Sequence, residues 1–485
     1  MIARRWLLAV LGLVCACSSS DSGSEPSVPP LAAVVRPEHP RPDFRRDSFV
    51  NLNTIWEFAY DPEDVGLTER WFERGDVWAE RIQVPYAWEA PLSGLVPEHE
   101  GPYSVVQTIV ANTFRGVAWY RLRLPEPLPV DPGLDWHLVF GAVDFEASVW
   151  INGQHAADHA GGYAPFSVNL APFVRKGEHV TIVLRVKDET ELNDRAQPVG
   201  KQGGVWYTRT SGIWQTVYLE QRPRLHLTSI RLIPEPSQSR VIVRPTLSEI
   251  GTNLSLEARL DGAVVGRFDG VPSSTSPEIE LTLDTVQRWD IEHPTLYDLD
   301  VIVRGADGVE DVVHTYFGLV EVATDWLPGH APSDTLEPLE QYQALHVNGR
   351  PRYLRCILDQ SYYPNGVYTA PSLDAIRADL QLAKGFGFNC VRLHIKADEP
   401  VKLRLLDEMG FYVVYDVPSL DMQARNVEGF AGRANFESTM RGLFERDGFR
   451  RWTGRASPGR SRTLPWRAAP RCRARHPNGR ARIAW

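Results

Sequence analysis

The sequence predicts a multidomain protein in which two β-rich domains precede a segment of mixed β and α structure. Three observations support this fold class. Short apolar runs separated by turn signals fill residues 45–322, as is typical of β-sandwiches. From residue 323 onward, strand-like runs alternate with helix-like runs, which indicates parallel strand pairing. The length of 485 residues is suited to about three domains.

The first β region, residues 45–222, predicts a jelly roll or a related β-sandwich. Its segment 119–124 alternates with a period of two, as half-buried strands do. Asn152-Gly153 follows an apolar run and is a strong signal for a tight hairpin turn. Further strands are predicted at 137–140, 148–151 and 180–186.

The second β region, residues 223–322, has the length and the strand pattern of an immunoglobulin-like sandwich. Turns are predicted at Asp261-Gly262 and Asp269-Gly270. Strands are predicted at 225–233, 239–245, 254–260, 279–283 and 299–304.

The third region, residues 323–447, changes from a strand pattern to an alternating one. Ser372 is the expected N-cap of a helix that continues to Lys384, and a second helix is expected over 400–409. Strands are predicted at 353–358, 389–394 and 411–415. Short apolar strands of this kind suit a parallel sheet that is covered on both faces.

The N-terminus predicts an export signal. Arg4 and Arg5 precede an apolar run, and Ala16 precedes Cys17, which resembles a bacterial lipoprotein signal over residues 1–17. Lipidation of Cys17 would hold the exported protein at a membrane, and residues 18–44 would then be a flexible tether. An ordinary secretory signal is the alternative.

Composition excludes some partners and cofactors. A net charge of −9 argues against nucleic-acid binding, which requires a basic face. The sequence contains no CxxC motif and no zinc pattern, so no cofactor is expected. Cys356 and Cys390 lie on neighbouring predicted strands and are expected to be buried thiols, with a disulfide as the alternative. The fifteen Trp residues fit either sandwich cores or sugar-stacking sites, and this choice stays open for Trp206 and Tyr207.

Several motifs in order resemble glycoside hydrolase family 2, the family of β-galactosidases, β-glucuronidases and β-mannosidases. The segment 204–217, which includes Thr210-Ser211-Gly212-Ile213-Trp214, resembles the end of that family's sugar-binding domain. The segment 294–297 resembles the end of its immunoglobulin-like sandwich. The segments 347–351, 389–392 and 407–414 resemble the first part of its (β/α)8 TIM barrel. The resemblance covers about residues 45–446 and implies that 323–447 is a partial barrel of about three strands.

The resemblance implies hydrolysis of β-linked O-glycosides by a retaining mechanism with two carboxyl groups. Arg392 and His394 alternate along the second strand of the predicted barrel, so both are expected on one face near the site. A buried polar network is the alternative role for these two residues, and a solvated loop position is the alternative for Lys396. The predicted substrate-binding residues are Arg392, His394, Asp416, Asp359 and Lys396.

Neither catalytic carboxylate is identified. The resemblance implies that both lie beyond Asp447, the acid/base directly after an Asn, and no Asn-Glu pair follows Asp416. Residues 448–485 contain eleven Arg but no Lys, Asp or Glu, which predicts a frameshifted, disordered tail. A genuine basic tail is the alternative. The 485-residue chain is therefore expected to be inactive.

Two non-enzymatic functions are alternatives to a glycosidase. The protein could be a carbohydrate-binding surface lipoprotein that holds glycans with its jelly roll. It could also be a structural surface protein without sugar contacts. The sequence does not fix the sugar, the linkage or the oligomeric state.

Overall fold

A computed structural model describes residues 34–95, 114–189, 208–327, 343–418 and 433–447. The first β domain contains two antiparallel sheets with the strand orders β1-β12-β5-β9 and β3-β2-β4-β10-β7-β8, and a short pair β11-β6. The strands are β1 (Phe49–Asn51), β2 (Ile55–Asp61), β3 (Glu80–Gln83), β4 (Gly116–Arg123), β5 (Leu134–Phe140), β6 (Val143–Asp144), β7 (Glu146–Ile151), β8 (Gln154–Ala160), β9 (Phe166–Asn169), β10 (Thr181–Asp188), β11 (Gly212–Ile213) and β12 (Val217–Pro223).

The two large sheets of this domain share one apolar core, as the jelly-roll prediction requires. Phe140 and Leu219 from one sheet pack with Trp56, Tyr120 and Leu184 from the other. The predicted hairpin joins β7 to β8, and its Asn-Gly turn has positive φ angles at both residues. A second layer of buried rings, Trp119 and Trp150, covers the outer face of the larger sheet. Trp56 therefore serves the sandwich interior, whereas Trp119 and Trp150 pack on its outer face.

The second β domain is also a sandwich, with sheet orders β13-β14-β17 and β16-β15-β18-β19 around a common core. Its strands are β13 (Leu227–Glu235), β14 (Arg240–Leu247), β15 (Asn253–Leu260), β16 (Ala263–Gly270), β17 (Ile279–Thr282), β18 (Tyr297–Arg304) and β19 (Glu310–Phe317). The sequence analysis did not identify β16 or β19. The turn predicted at Asp269-Gly270 is wrong, because both residues belong to β16 and pair with β15.

The third region contains a small antiparallel sheet and then three parallel strands. The small sheet is formed by β20 (Val322–Trp326), β21 (Gln343–Val347) and β22 (Arg350–Pro351). The parallel sheet has the order β23 (Cys356–Asp359), β24 (Cys390–Leu393) and β25 (Tyr412–Tyr415). Three helices accompany it: α1 (Leu373–Gly385), α2 (Pro400–Glu408) and α3 (Arg433–Asp447). Ser372 caps α1 as predicted, because its hydroxyl accepts a hydrogen bond from Ala375 N at 3.1 Å.

The two faces of the parallel sheet differ. Val391 and Leu393 point toward α1 and α2 and belong to a buried apolar cluster. On the opposite face, the carboxyl ends of the strands leave Leu358 49% exposed and Val414 37% exposed. These observations fit the start of a (β/α) fold, and the eight-stranded barrel stays a prediction.

Cys356 and Cys390 form a disulfide, so the expectation of two free buried thiols is wrong. The two residues face each other directly in the register of β23 and β24. Only Cys390 is buried, whereas Cys356 is exposed. The spacing of the two cysteines in the sequence could not predict this pairing. The register depends on how α1 positions β24 relative to β23.

The expected flexible tether over 18–44 is also wrong in its described part, residues 34–44, because this segment packs against the rest of the chain. Arg36 is buried and forms an ion pair with Glu399 at 2.9 Å. Arg41 and the buried Asp43 form a second ion pair at 2.8 Å. A solvated linker could not form ion pairs with buried partners. The folded unit therefore extends at least to residue 34. Among the described helices, none has the length and hydropathy that a membrane-spanning helix requires.

Candidate functional site

The carboxyl ends of the three parallel strands bring together four of the five residues that the sequence predicted for substrate binding. Asp359 ends β23, His394 follows β24 directly, and Asp416 follows β25 directly. Backbone hydrogen bonds continue the ladder here, from His394 N to Asp359 O at 2.9 Å and from Asp416 N to Leu393 O at 3.0 Å. Ligands bind at the carboxyl ends of strands in β/α proteins, so this edge is the candidate site.

Arg392 and Asp416 form an ion pair on the open face of the sheet. Arg392 Nε and Nη2 donate to Asp416 Oδ2 at 3.1 and 2.9 Å. The arginine side chain is 48% exposed and the aspartate side chain is 21% exposed. Such a pair contributes little to stability in water. It does hold a guanidinium and a carboxylate in a fixed orientation at the edge of the site.

His394 lies beside this pair, one residue beyond the end of β24. Its Nδ1 lies 2.8 Å from Gln360 Oε1, in the loop that follows β23. An amide oxygen accepts hydrogen bonds only, so Nδ1 carries the proton in this contact. Gln360 was not predicted to belong to the site. The pattern of strand ends could have indicated it, because it follows Asp359 directly.

Asp359 has a different environment from Arg392 and Asp416. Lys402 Nζ lies 2.7 Å from Asp359 Oδ2, and Ser361 N donates to Asp359 Oδ1 at 2.7 Å. Both contacts hold the carboxylate at the rim of the sheet, where its side chain is 24% exposed. Asp359 thus shapes the loop that also carries Gln360.

Lys396 lies under the first β domain, away from the open face. Its side chain is 2% exposed, and its Nζ donates to the carbonyl oxygens of Ser361 and Tyr368 at 2.9 and 2.8 Å. The ammonium lies 5.3 Å from the centre of the Trp214 ring and 4.4 Å from that of Tyr368. Neither the expected contact with substrate nor the alternative of a solvated loop lysine agrees with this position.

A buried charge cluster beneath the site explains the position of Lys396. Asp398 lies 3.4 Å from Lys396 Nζ and 3.5 Å from Lys402 Nζ, and it accepts a 2.6 Å hydrogen bond from Ser361 Oγ. Burial lowers the pKa of Lys396 against the opposing effect of Asp398. Burial also disfavours the charge of Lys402, but Asp398 and Asp359 outweigh it and raise the pKa of Lys402. The cluster therefore fixes the loop after β23.

Four residues that support the site were not predicted from the sequence: Ser361, Asp398, Lys402 and Arg446. Arg446, near the end of α3, donates to Asp398 O at 2.7 Å and to Tyr163 O at 3.3 Å. It thereby joins α3, the site loop and the first β domain. The spacing of Asp398 and Lys402 by four residues at a helix start was a usable signal. Nothing in the sequence near Arg446 indicated its contacts.

The exposed part of the site offers hydrogen-bond donors and acceptors beside apolar surface. Arg392, His394, Gln360 and Asp416 supply the polar groups, and Leu358 lies on the same face of the sheet as Arg392. Hydroxyl groups of a sugar can both donate to and accept from such a set. No cluster of His, Cys, Asp or Glu suited to a metal ion occurs within the described ranges. Cys17, Trp206, Tyr207 and residues 448–485 lie outside them.

Comparison with known proteins identifies the two β domains. Residues 49–223 match the sugar-binding domain of glycosyl hydrolases family 2, and residues 226–319 match a second model of that family. Together the two matches cover more than half of the chain.

Relatives and solved structures agree with these matches. A putative β-glucuronidase of Formosa agariphila is 25% identical over 76% of this chain and 41% of its own length. A β-galactosidase of Yersinia pestis is 23% identical over 75% of this chain and 35% of its own length. The β-glucuronidase of Ruminococcus gnavus, solved in complex with D-glucuronic acid, superposes with a TM-score of 0.67. That superposition covers 84% of this chain and 66% of the other at 17% identity, so it concerns the fold alone.

The chain thus spans about two fifths of the length of the Formosa relative and about a third of that of the Yersinia relative. Within that span, the order of the jelly roll and the sandwich agrees with the two family matches. The chain belongs to glycoside hydrolase family 2.

Proposed function

We propose that this protein is by family a glycosidase of β-linked O-glycosides, that it binds the sugar at the carboxyl ends of β23, β24 and β25, and that the 485-residue chain does not itself hydrolyse the bond. The family assignment supports the reaction class, and the parallel strands with α1 and α2 would form the start of a (β/α)8 barrel. The observation that carries the proposal is the convergence of Arg392, His394 and Asp416 on one open face. Each offers hydrogen bonds that a sugar ring can use.

In this proposal, the described residues bind and orient the sugar, and they do not break the glycosidic bond. Arg392 would donate to a carboxylate or hydroxyl of the sugar, and Asp416 would orient the guanidinium through their ion pair. His394 would contact a hydroxyl group through Nε2, because Nδ1 is held by Gln360. Lys396 and Asp359 would position the loop after β23 without direct contact with the substrate.

The bond-breaking groups of a retaining glycosidase are two carboxyl groups about 5–5.5 Å apart, one nucleophile and one acid/base. The 485-residue sequence has no Asn-Glu pair after Asp416, where the family resemblance implies the acid/base. We therefore expect this chain by itself to bind sugars without hydrolysing glycosides. The frameshift hypothesis for residues 448–485 stays a prediction that resequencing of the coding DNA would test.

The experiment combines turnover and binding on the purified 485-residue protein. Release of nitrophenol is measured from the β-D-glucuronide and the β-D-galactoside, and D-glucaro-1,5-lactone is titrated calorimetrically. We expect no turnover above the buffer rate, together with saturable binding that Arg392→Gln weakens about tenfold through loss of a charge-assisted hydrogen bond. Turnover would contradict the inactivity. Absence of saturable binding of the lactone would contradict the sugar site at the strand ends.

A second candidate function is carbohydrate binding without catalysis, by the first β domain of a surface lipoprotein. The match of residues 49–223 to a sugar-binding domain favours it. The same titrations distinguish the two proposals. Binding that is unchanged in Arg392→Gln would favour a site on the first β domain, and binding lost in that variant would favour the strand ends.

We also propose that the protein is exported and anchored through a lipid on Cys17 at a periplasmic or cell-surface membrane. The Cys356–Cys390 disulfide supports export, since disulfides persist mainly in oxidising compartments. Expression in a bacterial host with Cys17→Ser tests the anchor. The parent chain is expected in the membrane fraction and the variant in the soluble fraction. Equal distribution of both would contradict lipid anchoring.

A further inference from the structure

A polar cleft of about 530 Å³ lies on the opposite side of the β/α segment from the candidate site. It is bounded by the N-terminal segment, the second β domain and α2. Glu408 ends α2 just before the amino end of β25, whereas Asp416 follows the carboxyl end of that strand. The cleft is therefore separate from the strand-end site. The lining residues used below are Arg45, Arg259, Asp298, Asp300, Arg404 and Glu408.

Ion pairs hold part of this lining in place. Arg259 forms ion pairs with Asp300 and Glu257. Asp300 Oδ1 also lies 2.6 Å from His314 Nδ1. Arg404 Nε donates to Glu408 Oε1 at 2.6 Å, and its guanidinium carbon lies 3.9 Å from the centre of the Tyr316 ring. These contacts fix planar charged groups before any ligand arrives, which lowers the cost of ordering them on binding.

Other hydrogen-bonding groups of the cleft remain unused within the described part of the chain. Within the described ranges, the Arg404 side chain makes one hydrogen bond, from Nε to Glu408. Its two terminal nitrogens therefore remain available. Arg45 has a single weak ion pair, 3.7 Å from Asp47, and its side chain is 49% exposed. Asp298 is exposed and has no ion pair within 4.0 Å in the described ranges. Donors and acceptors are thus both available in the lining of the cleft.

The charges decide which ligand fits. Three arginines and His314 line the cleft together with three carboxylates, and the nearby Asp47 and Glu257 add two more carboxylates. A simple anion would face these carboxylates, and a simple cation would face the arginines. A neutral polyhydroxylated molecule avoids both repulsions, because each hydroxyl group both donates and accepts. The volume lies within the range of small-molecule pockets, about 300–1,000 Å³.

We propose that this cleft binds a neutral saccharide unit, at a site separate from the sugar site of the strand ends. A remote saccharide site would hold the protein on a glycan while the strand ends engage another part of it. The proposal requires neither activity of this chain nor the strand-end site.

Saturation-transfer NMR on the full 485-residue protein tests the proposal, with D-glucose, D-galactose, D-mannose and D-xylose as probes. All measurements use the Arg392→Gln background, which removes the principal donor of the strand-end site. We expect saturable signal from at least one probe. Asp298→Asn is expected to weaken that binding about tenfold through loss of a charged acceptor. Asp298 is exposed, so this substitution leaves the fold intact.

Asp284→Asn is the matched control, since Asp284 is an exposed aspartate of the same domain outside the cleft. It is expected to leave binding unchanged. Arg404→Lys tests the second wall, because lysine keeps the charge but loses the planar stack on Tyr316. It is expected to weaken binding as well. The proposal is overturned if none of the four sugars binds saturably, or if binding is equal in Asp298→Asn and Asp284→Asn.

Discussion

The ammonium of Lys396 lies 5.3 Å from the ring centre of Trp214, although the two residues belong to different domains. Trp214 is completely buried at the end of the first β domain. Lys396 follows the second parallel strand, and its carbonyl partners belong to the loop after β23. The loop at the candidate site is therefore held against the first β domain by a buried cation and an aromatic ring.

Lys396→Met is expected to destabilise the protein by about 3 kcal/mol, because breaking a buried charge cluster leaves Asp398 with one cation fewer. Denaturant unfolding monitored by Trp fluorescence measures the change. Lys176→Met is the control, since Lys176 is an exposed lysine of the first β domain. Equal unfolding midpoints for the parent and Lys396→Met would contradict a stabilising role of the cluster.

Glu89 gives the first β domain a predicted pH dependence. Its carboxyl group is buried, accepts a 3.0 Å hydrogen bond from Ser211 N, and lies near the Arg209–Asp188 ion pair. Burial raises the pKa of Glu89 to about 7. Because this pKa is raised above that of the unfolded chain, folding favours the protonated form. Its contribution to stability is complete below about pH 4.5 and is lost as the pH rises through about 7.

Glu89→Gln mimics the protonated carboxyl group and should remove this loss. Relative to the parent, the variant is expected to gain up to about 3 kcal/mol of stability between pH 5 and pH 8. Denaturant midpoints at the two pH values measure the gain. Glu146→Gln, at an exposed position on β7, should show the same pH dependence as the parent. A parallel pH profile for Glu89→Gln and the parent would refute the prediction.

The sequence predicted the β domains well where strands alternate with a period of two and end in clear turns. It missed β16, because Gly266 and Asp269-Gly270 resemble turn residues and the strand is defined mainly by its pairing with β15. It also missed β19, which starts with Glu310 and Asp311. Asp311 is nevertheless buried, because it forms an ion pair with Arg46 at 2.7 Å. Pairing with a neighbouring strand decided the first case, and a partner distant in sequence decided the second.

The same distinction applies to the candidate site. Strand alternation predicted that Arg392 and His394 share one face near the end of the second parallel strand, and Asp416 was predicted at the end of the third. The depth of Lys396 could not be predicted, because it depends on how Trp214 packs against the loop after β23. Local patterns indicate which face a residue occupies. Its burial depends on which domain covers that face.

His314 is expected to hold the N-terminal segment in a pH-dependent way. Its Nδ1 lies 2.6 Å from Asp300, its Nε2 lies 3.3 Å from Asp47, and these contacts raise the pKa of His314. Because this pKa is raised, the contribution of His314 to stability is complete below about pH 6.5. The contribution is lost as the pH rises through the pKa that His314 has in the folded protein.

Backbone hydrogen bonds join Arg45 and His314 in both directions, so the exchange of these two amides reports on the attachment. After correction for intrinsic rates, their protection is expected to fall between pH 5.5 and pH 8. In His314→Gln the fall should be absent. His293→Gln, at an exposed histidine of the same domain, serves as the control. Unchanged protection across this pH range in the parent protein would contradict the prediction.

The Cys356–Cys390 disulfide should stabilise the β/α segment by closing a loop of 34 residues that contains α1. The chain-entropy model gives about 3–4 kcal/mol for a loop of this length. Cys356→Ser combined with Cys390→Ser is therefore expected to lower the denaturation midpoint of this segment. A reducing agent should lower the midpoint of the parent by the same amount and leave the double variant unchanged. Insensitivity of the parent to reduction, with the Cys356–Cys390 bond verified beforehand by peptide mass mapping, would indicate that the disulfide does not support the sheet. Such a result would indicate that the buried apolar cluster between α1, α2 and the strands stabilises the sheet instead.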